Sequence, residues 1–174
     1  MTRFRMFLPA LAAVLLAPPS LAARVTIPST SVSLQVPAGF VTMPKSVITS
    51  KYSRGGNPPG TVYSTPGPRW DVNIAFALRK TALPAGNLAP VLTGLERSIQ
   101  GTPGFRWVRH GIVRSGKREW IDLQFWANGV DTPIYNHLRL SREGQKTLIV
   151  TANVTKALYA KYGRTLDNAM NGLK

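Results

Sequence analysis

The chain has 174 residues, a formal net charge of +15 from 22 Lys and Arg against 7 Asp and Glu, and no cysteine. The missing thiol excludes a cysteine nucleophile, a thiolate zinc site, a thiol redox centre and a disulfide framework, so packing must hold the fold. A charge of this size favours anionic partners through long-range attraction and counterion release, with solubility as its other use.

Arg3 and Arg5 precede an uncharged apolar run, Met6 to Ala17, and the stretch Pro18–Ala23 ends in small residues. That is the three-part layout of a secretory signal peptide. The run is shorter than the roughly 20 apolar residues needed to cross a bilayer. Ser20 and Ala22 predict cleavage after Ala22, with Ala23 as the alternative. No cysteine follows for lipid attachment. Residues 1–22 are therefore expected to be removed, and residues 23–174 to form a single domain, soluble, periplasmic or secreted, and monomeric. In that compartment the expected anions are an acidic protein, an envelope glycan or a lipid head group, and no nucleic acid.

In the mature chain, "SVSLQVPAGFVTM" alternates around Val32, Leu34 and Val36 and turns at Pro37-Ala38-Gly39, which predicts a strand, a turn and a short second strand. Ser53 to Gly60 is dominated by Gly and Pro and predicts a mobile surface loop. In "RWDVNIAFALRK" the residues Trp70, Val72, Ile74, Phe76 and Leu78 share one face of a strand. Asn87 then caps a helix with Leu88, Val91, Leu92, Leu95 and Ile99 on one stripe, closed by Gly101 and Pro103. "FRWVRHGIVR" and "REWIDLQFWANG" flank the turn Ser115-Gly116-Lys117, and "PIYNHLRLS" and "KTLIVTANV" flank Arg142–Gln145, a meander of four strands. Thr155 is expected to cap a last helix with the stripe Leu158, Tyr162, Leu166, Ala169, Met170 and Leu173.

Large residues occupy both faces of several strands, with Ile121, Leu123 and Phe125 alternating with Trp120 and Trp126. A sheet with one wet face has no need of them. The expectation is an α+β fold, an α/β/α sandwich around a central, mainly antiparallel sheet of about six strands.

The order of parts resembles the Mog1p/PsbP-like fold, which also includes periplasmic DcrB-like proteins. The resemblance rests on "VSLQVPAGF", on "WDVNIAF" before the first helix, on the "SGKREWIDLQF" hairpin, and on "YNHLRLSREGQKTLIVTANV" leading to the closing helix "LDNAMNGLK". It spans nearly the whole mature chain and departs at Gly172-Leu173, where relatives often carry Ser-Phe. It implies a non-catalytic binding or accessory protein, and it transfers no partner and no site residue.

The chemistry-bearing stretch is "GIVRSGKREWIDLQFW", Gly111–Trp126. Its Gly-Lys lacks phosphate-loop spacing and opens a strand. Glu119 and Asp122 are three apart and point to opposite faces of an extended strand, so they cannot serve as paired carboxylates. Ser115 in "RSGK" is an ordinary turn residue without the support a nucleophile requires. His110 and His137 lie in separate strands without metal-ligand spacing. The expectation is no catalytic residue, no metal and no cofactor. Arg114, Lys117 and Arg118 at the hairpin tip, extended by Arg106 and Arg109, are the candidates for anion or partner binding. Two alternatives stand beside this: a small envelope hydrolase using His110 and Asp122, and a periplasmic immunity protein that neutralises a toxin.

Overall fold

In the computed structural model, residues 22–53 and 57–174 are described. The signal-peptide expectation and the centre of the Gly/Pro loop lie outside them.

Chain reversals and apolar alternation build the elements in turn. A ribbon of β1 (Ala23–Thr26) and β2 (Ser33–Val36) comes first, followed by β3 (Val41–Thr42), α1 (Lys45–Tyr52), β4 (Thr61–Ser64) and β5 (Val72–Arg79). Helix α2 (Ala89–Gln100) leads to the meander β6 (Arg106–Ser115), β7 (Arg118–Asn128), β8 (Pro133–Glu143) and β9 (Lys146–Thr155), and α3 (Lys156–Asn171) closes the chain. The main sheet has seven strands in the order β3-β4-β5-β9-β8-β7-β6, all neighbours antiparallel. The α+β sandwich is as expected. The main sheet has seven strands against the about six expected: β4, only four residues long, was not anticipated, and β2 pairs with β1 in a separate ribbon.

The sheet separates two cores. On one face Val72, Ile74, Phe76, Trp120, Tyr135, Val150 and Val154 pack against Leu166, Met170 and Leu173 of the α3 segment and against Val32, Leu34 and Val36 of the ribbon. On the other, Ile121, Leu123 and Phe125 meet the α2 stripe, and Val62 and Ala75 meet Ile48 of α1. Each of these side chains contributes ~1.5–3 kcal/mol through burial, which is how a cysteine-free chain holds together.

Two local expectations need correction. Trp70 does not continue the face of Val72, Ile74 and Phe76: its backbone is left-handed at φ 50°, and the ring packs into the α1 cluster instead. Lys51 secures this turn by donating from Nζ to the carbonyls of Arg69 and Trp70 at 2.9 and 3.0 Å. Thr155 precedes α3 in extended conformation, but its side chain makes no capping hydrogen bond. Asn87 does cap, its Oδ1 accepting from the Ala89 N–H at 2.9 Å.

The turn from α2 into β6 is fixed at Gly104, with φ +69°, where an added Cβ would fall inside the Asn128 side-chain amide. The Asn128 N–H donates to the Pro103 carbonyl at 2.8 Å and holds the turn against β7, so the Asn128 amide would have to rotate away while the left-handed backbone still strains any L side chain. Gly104→Ala is expected to lower stability by ~1–3 kcal/mol, read by urea denaturation; an unchanged midpoint would show that the turn yields freely.

Candidate functional site

The β6–β7 hairpin turns at Gly116, in left-handed conformation at φ 61°, and carries its cations to one end of the sheet. There it meets the β5–α2 connection and the C-terminal segment around a groove of about 760 Å³. Its lining combines Arg114, Lys117, Arg118, Arg142 and Lys174 with one carboxylate, Glu119, and with the apolar Pro84, Ala85 and Leu88. Ser115 ties the hairpin to the chain end by donating from Oγ to the Leu173 carbonyl at 2.7 Å.

The cations differ in how free they are. Arg118 is anchored: it donates to the Arg142 carbonyl at 2.6 Å, to Glu143 Oε2 at 2.7 Å and to Ser31 Oγ at 2.9 Å. Its plane also lies 5.7 Å from the Trp120 ring centroid. Glu143 is held below its ordinary pKa; burial opposes this, and the Ser31 N–H and the Arg118 guanidinium outweigh it. Arg118 therefore frames the groove and joins β1–β2 to the main sheet.

Arg114 is 77% exposed and rests both donors, at 3.0 and 2.8 Å, on a single oxygen of Glu119. Lys117 is exposed and takes no carboxylate. Arg142 uses Nε on the Gly144 carbonyl at 2.9 Å, leaving its other guanidinium donors for a ligand.

Arg106 and Arg109 are exposed but do not line the groove. Eight residues of extended strand separate Arg106 from Arg114, ~27 Å. The predicted cations thus form a tip cluster and a separate pair. Arg142 and Lys174 were missed: Arg142 reads as a turn residue of another hairpin, and only the sheet order brings the two turns together.

The wider charge balance sharpens this. All seven carboxylates are engaged by a cation or a histidine: Asp71 and Asp131 with Arg69, Glu96 with His110, Glu119 with Arg114, Glu143 with Arg118, and Asp122 and Asp167 in the buried group described next. Among the described residues only Arg69, Arg114, Arg118 and Arg139 of the lysines and arginines have a carboxylate within reach. Most of the described cations therefore have no carboxylate partner, and Lys117, Arg142 and Lys174 are among those that line the groove.

Beneath α3 the sheet carries a buried polar group that sequence reading did not assemble. Asp122 faces Arg139 across the β7–β8 pair, and Gln124 faces His137. Arg139 donates to Asp122 at 2.7 Å, to the Met170 carbonyl at 2.8 Å and to Asn171 Oδ1 at 2.7 Å. His137, fully buried, sits between Asp167 at 2.8 Å on Nδ1 and Asp122 at 3.3 Å on Nε2. Burial alone would lower the His137 pKa, but the two carboxylates reverse this and raise it. Burial likewise pushes the Asp122 carboxyl up, yet His137 and Arg139 together bring it down to about 2. Tyr135, buried and donating to Asp167 at 2.8 Å, has its phenol pKa raised.

The surroundings favour the charged forms of both His137 and Asp122, and Arg139 lies against the same carboxylate. The group resembles a catalytic dyad in parts, but among the described residues its side-chain hydrogen bonds run to Gln124, Tyr135, Arg139 and Asn171 and to no serine or threonine hydroxyl. Among the described residues no three His, Asp or Glu side chains converge on a metal position; the two His137 nitrogens point at different carboxylates.

The pairing of His110 with Asp122 fails on register. His110 opposes Leu123, which packs under α2, whereas Asp122 is opposed by Gly111 and lies under α3. The two side chains are on opposite faces of the sheet. His110 instead stacks on Trp107, with centroids 4.4 Å apart, and bonds Glu96 of α2.

No protein-family model and no curated protein matches the sequence. Solved structures do. The solution structure of the cyanobacterial PsbP of Synechocystis aligns with a TM-score of 0.58 at 12% identity, covering 94% of this chain and 98% of that one. LpqN of Mycobacterium tuberculosis, described as involved in cell envelope biogenesis, aligns at 0.54 and 19% identity over 86% and 84% of the two chains. The Saccharomyces cerevisiae Ran-binding protein Mog1p aligns at 0.50 and 14% identity over 84% of each. The fold is Mog1p/PsbP-like.

Proposed function

We propose that the protein is a periplasmic or secreted, non-enzymatic binding or accessory module that engages an acidic protein or an anionic envelope polymer through the groove at the β6–β7 tip. The observation that carries this reading is the groove's charge: Arg114, Lys117, Arg142 and Lys174 line it together while every carboxylate of the chain is already occupied. Clustered guanidinium and ammonium groups beside apolar side chains suit a phosphate, sulfate or carboxylate borne on a larger body. An envelope setting is supported by the leader-like residues 1–22 and by the envelope role stated for LpqN. Among the described residues no helix is long and apolar enough to cross a membrane.

The test is retention of the purified protein on a sulfated-polysaccharide matrix and on vesicles with anionic head groups, compared with the double charge reversal Lys117→Glu/Arg142→Glu. Neither substitution removes a hydrogen bond between elements of the fold, so stability should be unchanged. Affinity should fall at least about tenfold, and wild-type binding should weaken between ~0.05 and ~0.3 M salt as screening shortens. Binding that ignores both salt and charge reversal would overturn the groove as the site. Capture from an envelope fraction of one acidic protein in a tight one-to-one complex would favour the immunity-protein form over polymer binding.

A further inference from the structure

The seven-stranded sheet ends on β6, and among the described residues no backbone hydrogen bond reaches that strand from its outer side. The other edge is only the two-residue β3. β6 is ten residues long, with a register shift between Trp107 and Arg109. Beyond the shift, Arg109–Ser115 keeps unbroken antiparallel register with β7, so its outward N–H and C=O groups form a regular row.

Natural edges are usually blunted by short length, by bulges or by cover, because an open row of backbone groups is a template for another strand. Here the bulge is confined to one end, and Ile112 remains 40% exposed within the regular stretch. Gly111 leaves an open notch, with no atom within 4 Å of where a Cβ would stand, between Arg109 and Val113 on the same face. A glycine inside a strand commonly marks the close approach of another backbone.

Charge selects the occupant. A second copy would bring its own Arg109 and Arg114 against this row, and like charges facing each other across a strand pair are destabilising. The chain also has no free carboxylate to offer, since all seven are already engaged.

We propose that the free edge of β6 at Arg109–Ser115 receives an extended acidic segment of a partner protein, which adds to the sheet as a further strand. Main-chain hydrogen bonds supply affinity, acidic side chains at alternate positions meet Arg109 on the face it shares with Gly111 and Val113, and the apolar side chains between them cover Ile112 on the other face. This contact is made by backbone and overlaps the groove only at Arg114 and Ser115, and the variants below separate it from the groove reading.

The probe is a synthetic peptide of about seven residues alternating glutamate and valine, titrated into the full domain with amide hydrogen exchange as the readout. Exchange of β6 amides is expected to slow at least about tenfold on saturation. Methylating alternate peptide nitrogens, or replacing the glutamates with lysine, should weaken binding at least about tenfold, as should Arg106→Glu/Arg109→Glu in the protein. The Lys117→Glu/Arg142→Glu variant should bind the peptide within about twofold of wild type. Absence of binding at ~1 mM peptide overturns the proposal, as does tight binding of the methylated peptide or unchanged β6 exchange at saturation. A protein that dimerises with β6 already protected would assign the edge to a second copy instead.

Discussion

Replacing Arg139 with methionine is expected to lower the stability of the domain by ~3–5 kcal/mol, because it leaves the Asp122 carboxylate in the core without its closest cation. Arg139 is 5% exposed and Asp122 is 1% exposed, so water cannot take over the lost contact. The same guanidinium also bonds the Met170 carbonyl and Asn171 at the C-terminal end of α3. Its loss should therefore loosen the helix as well as the sheet. Urea unfolding followed by far-UV circular dichroism and by tryptophan fluorescence measures both. A variant within ~0.5 kcal/mol of wild type would rank the pair with ordinary surface contacts. The companion double substitution, Asp122→Leu with Arg139→Met, should recover at least half of the loss, since removing both partners leaves no buried charge unpaired. His137 retains Asp167 in that variant and stays neutralised.

That network also explains which parts of the molecule can be read from sequence and which cannot. The two cores are legible because period-two alternation assigns Ile121, Leu123 and Phe125 to one face and Val72, Ile74 and Phe76 to the other, and burial follows the pattern. The same rule misreads Asp122, Gln124, His137 and Arg139. Polar residues at alternate positions look like a wet face, whereas here they lie under a helix and satisfy one another. A signal was present: the polar positions of β7 are flanked by Trp120 and Trp126, and α3 places Asp167 and Asn171 one helical turn apart on the facing side. Connecting these needs the β7–β8 register and the docking of α3, both of which are long-range. Helix α1 was illegible for a different reason. "KSVITSKY" has β-branched residues, no capping side chain and a single buried position, Ile48, so packing against Met43 and Val62 decides its conformation.

The basic site was half legible. Clustered Arg114, Lys117 and Arg118 identify the hairpin tip, but the sequence cannot distinguish a free cation from an anchored one. Arg118 proves to be fixed by Glu143, 25 positions away in the chain, and Arg142 takes its place at the groove because the β6–β7 and β8–β9 turns lie at the same end of the sheet. His110 and Asp122 were separable only once the bulge near Val108 had set the register.

Stability should pass through a maximum in mildly acidic solution and fall on both sides, and His137 and Asp122 set the two limbs. The His137 pKa is raised in the folded state above its ordinary value of 6.5. Its contribution is complete below about pH 6.5 and disappears as pH rises through the folded value. Asp122 moves the other way, from 3.8 to about 2. Its contribution is complete above about pH 4 and is lost as pH falls toward 2, worth ~2 kcal/mol. The groups facing His137 are Asp122 and Gln124 from β7, Tyr135 and Arg139 from β8, and Asp167 from α3. The acid limb belongs to Asp122 and the alkaline limb to His137. Unfolding free energies measured from pH 3 to pH 9 should show a decline above neutrality in the wild type that His137→Gln flattens. Nitrogen-15 spectra followed across that pH range should find the His137 ring losing its proton above the free-imidazole value. A His137 that titrates at or below that value, with an alkaline limb that persists in His137→Gln, would transfer the pH dependence to other groups and reduce the buried quartet to a single Asp122–Arg139 pair.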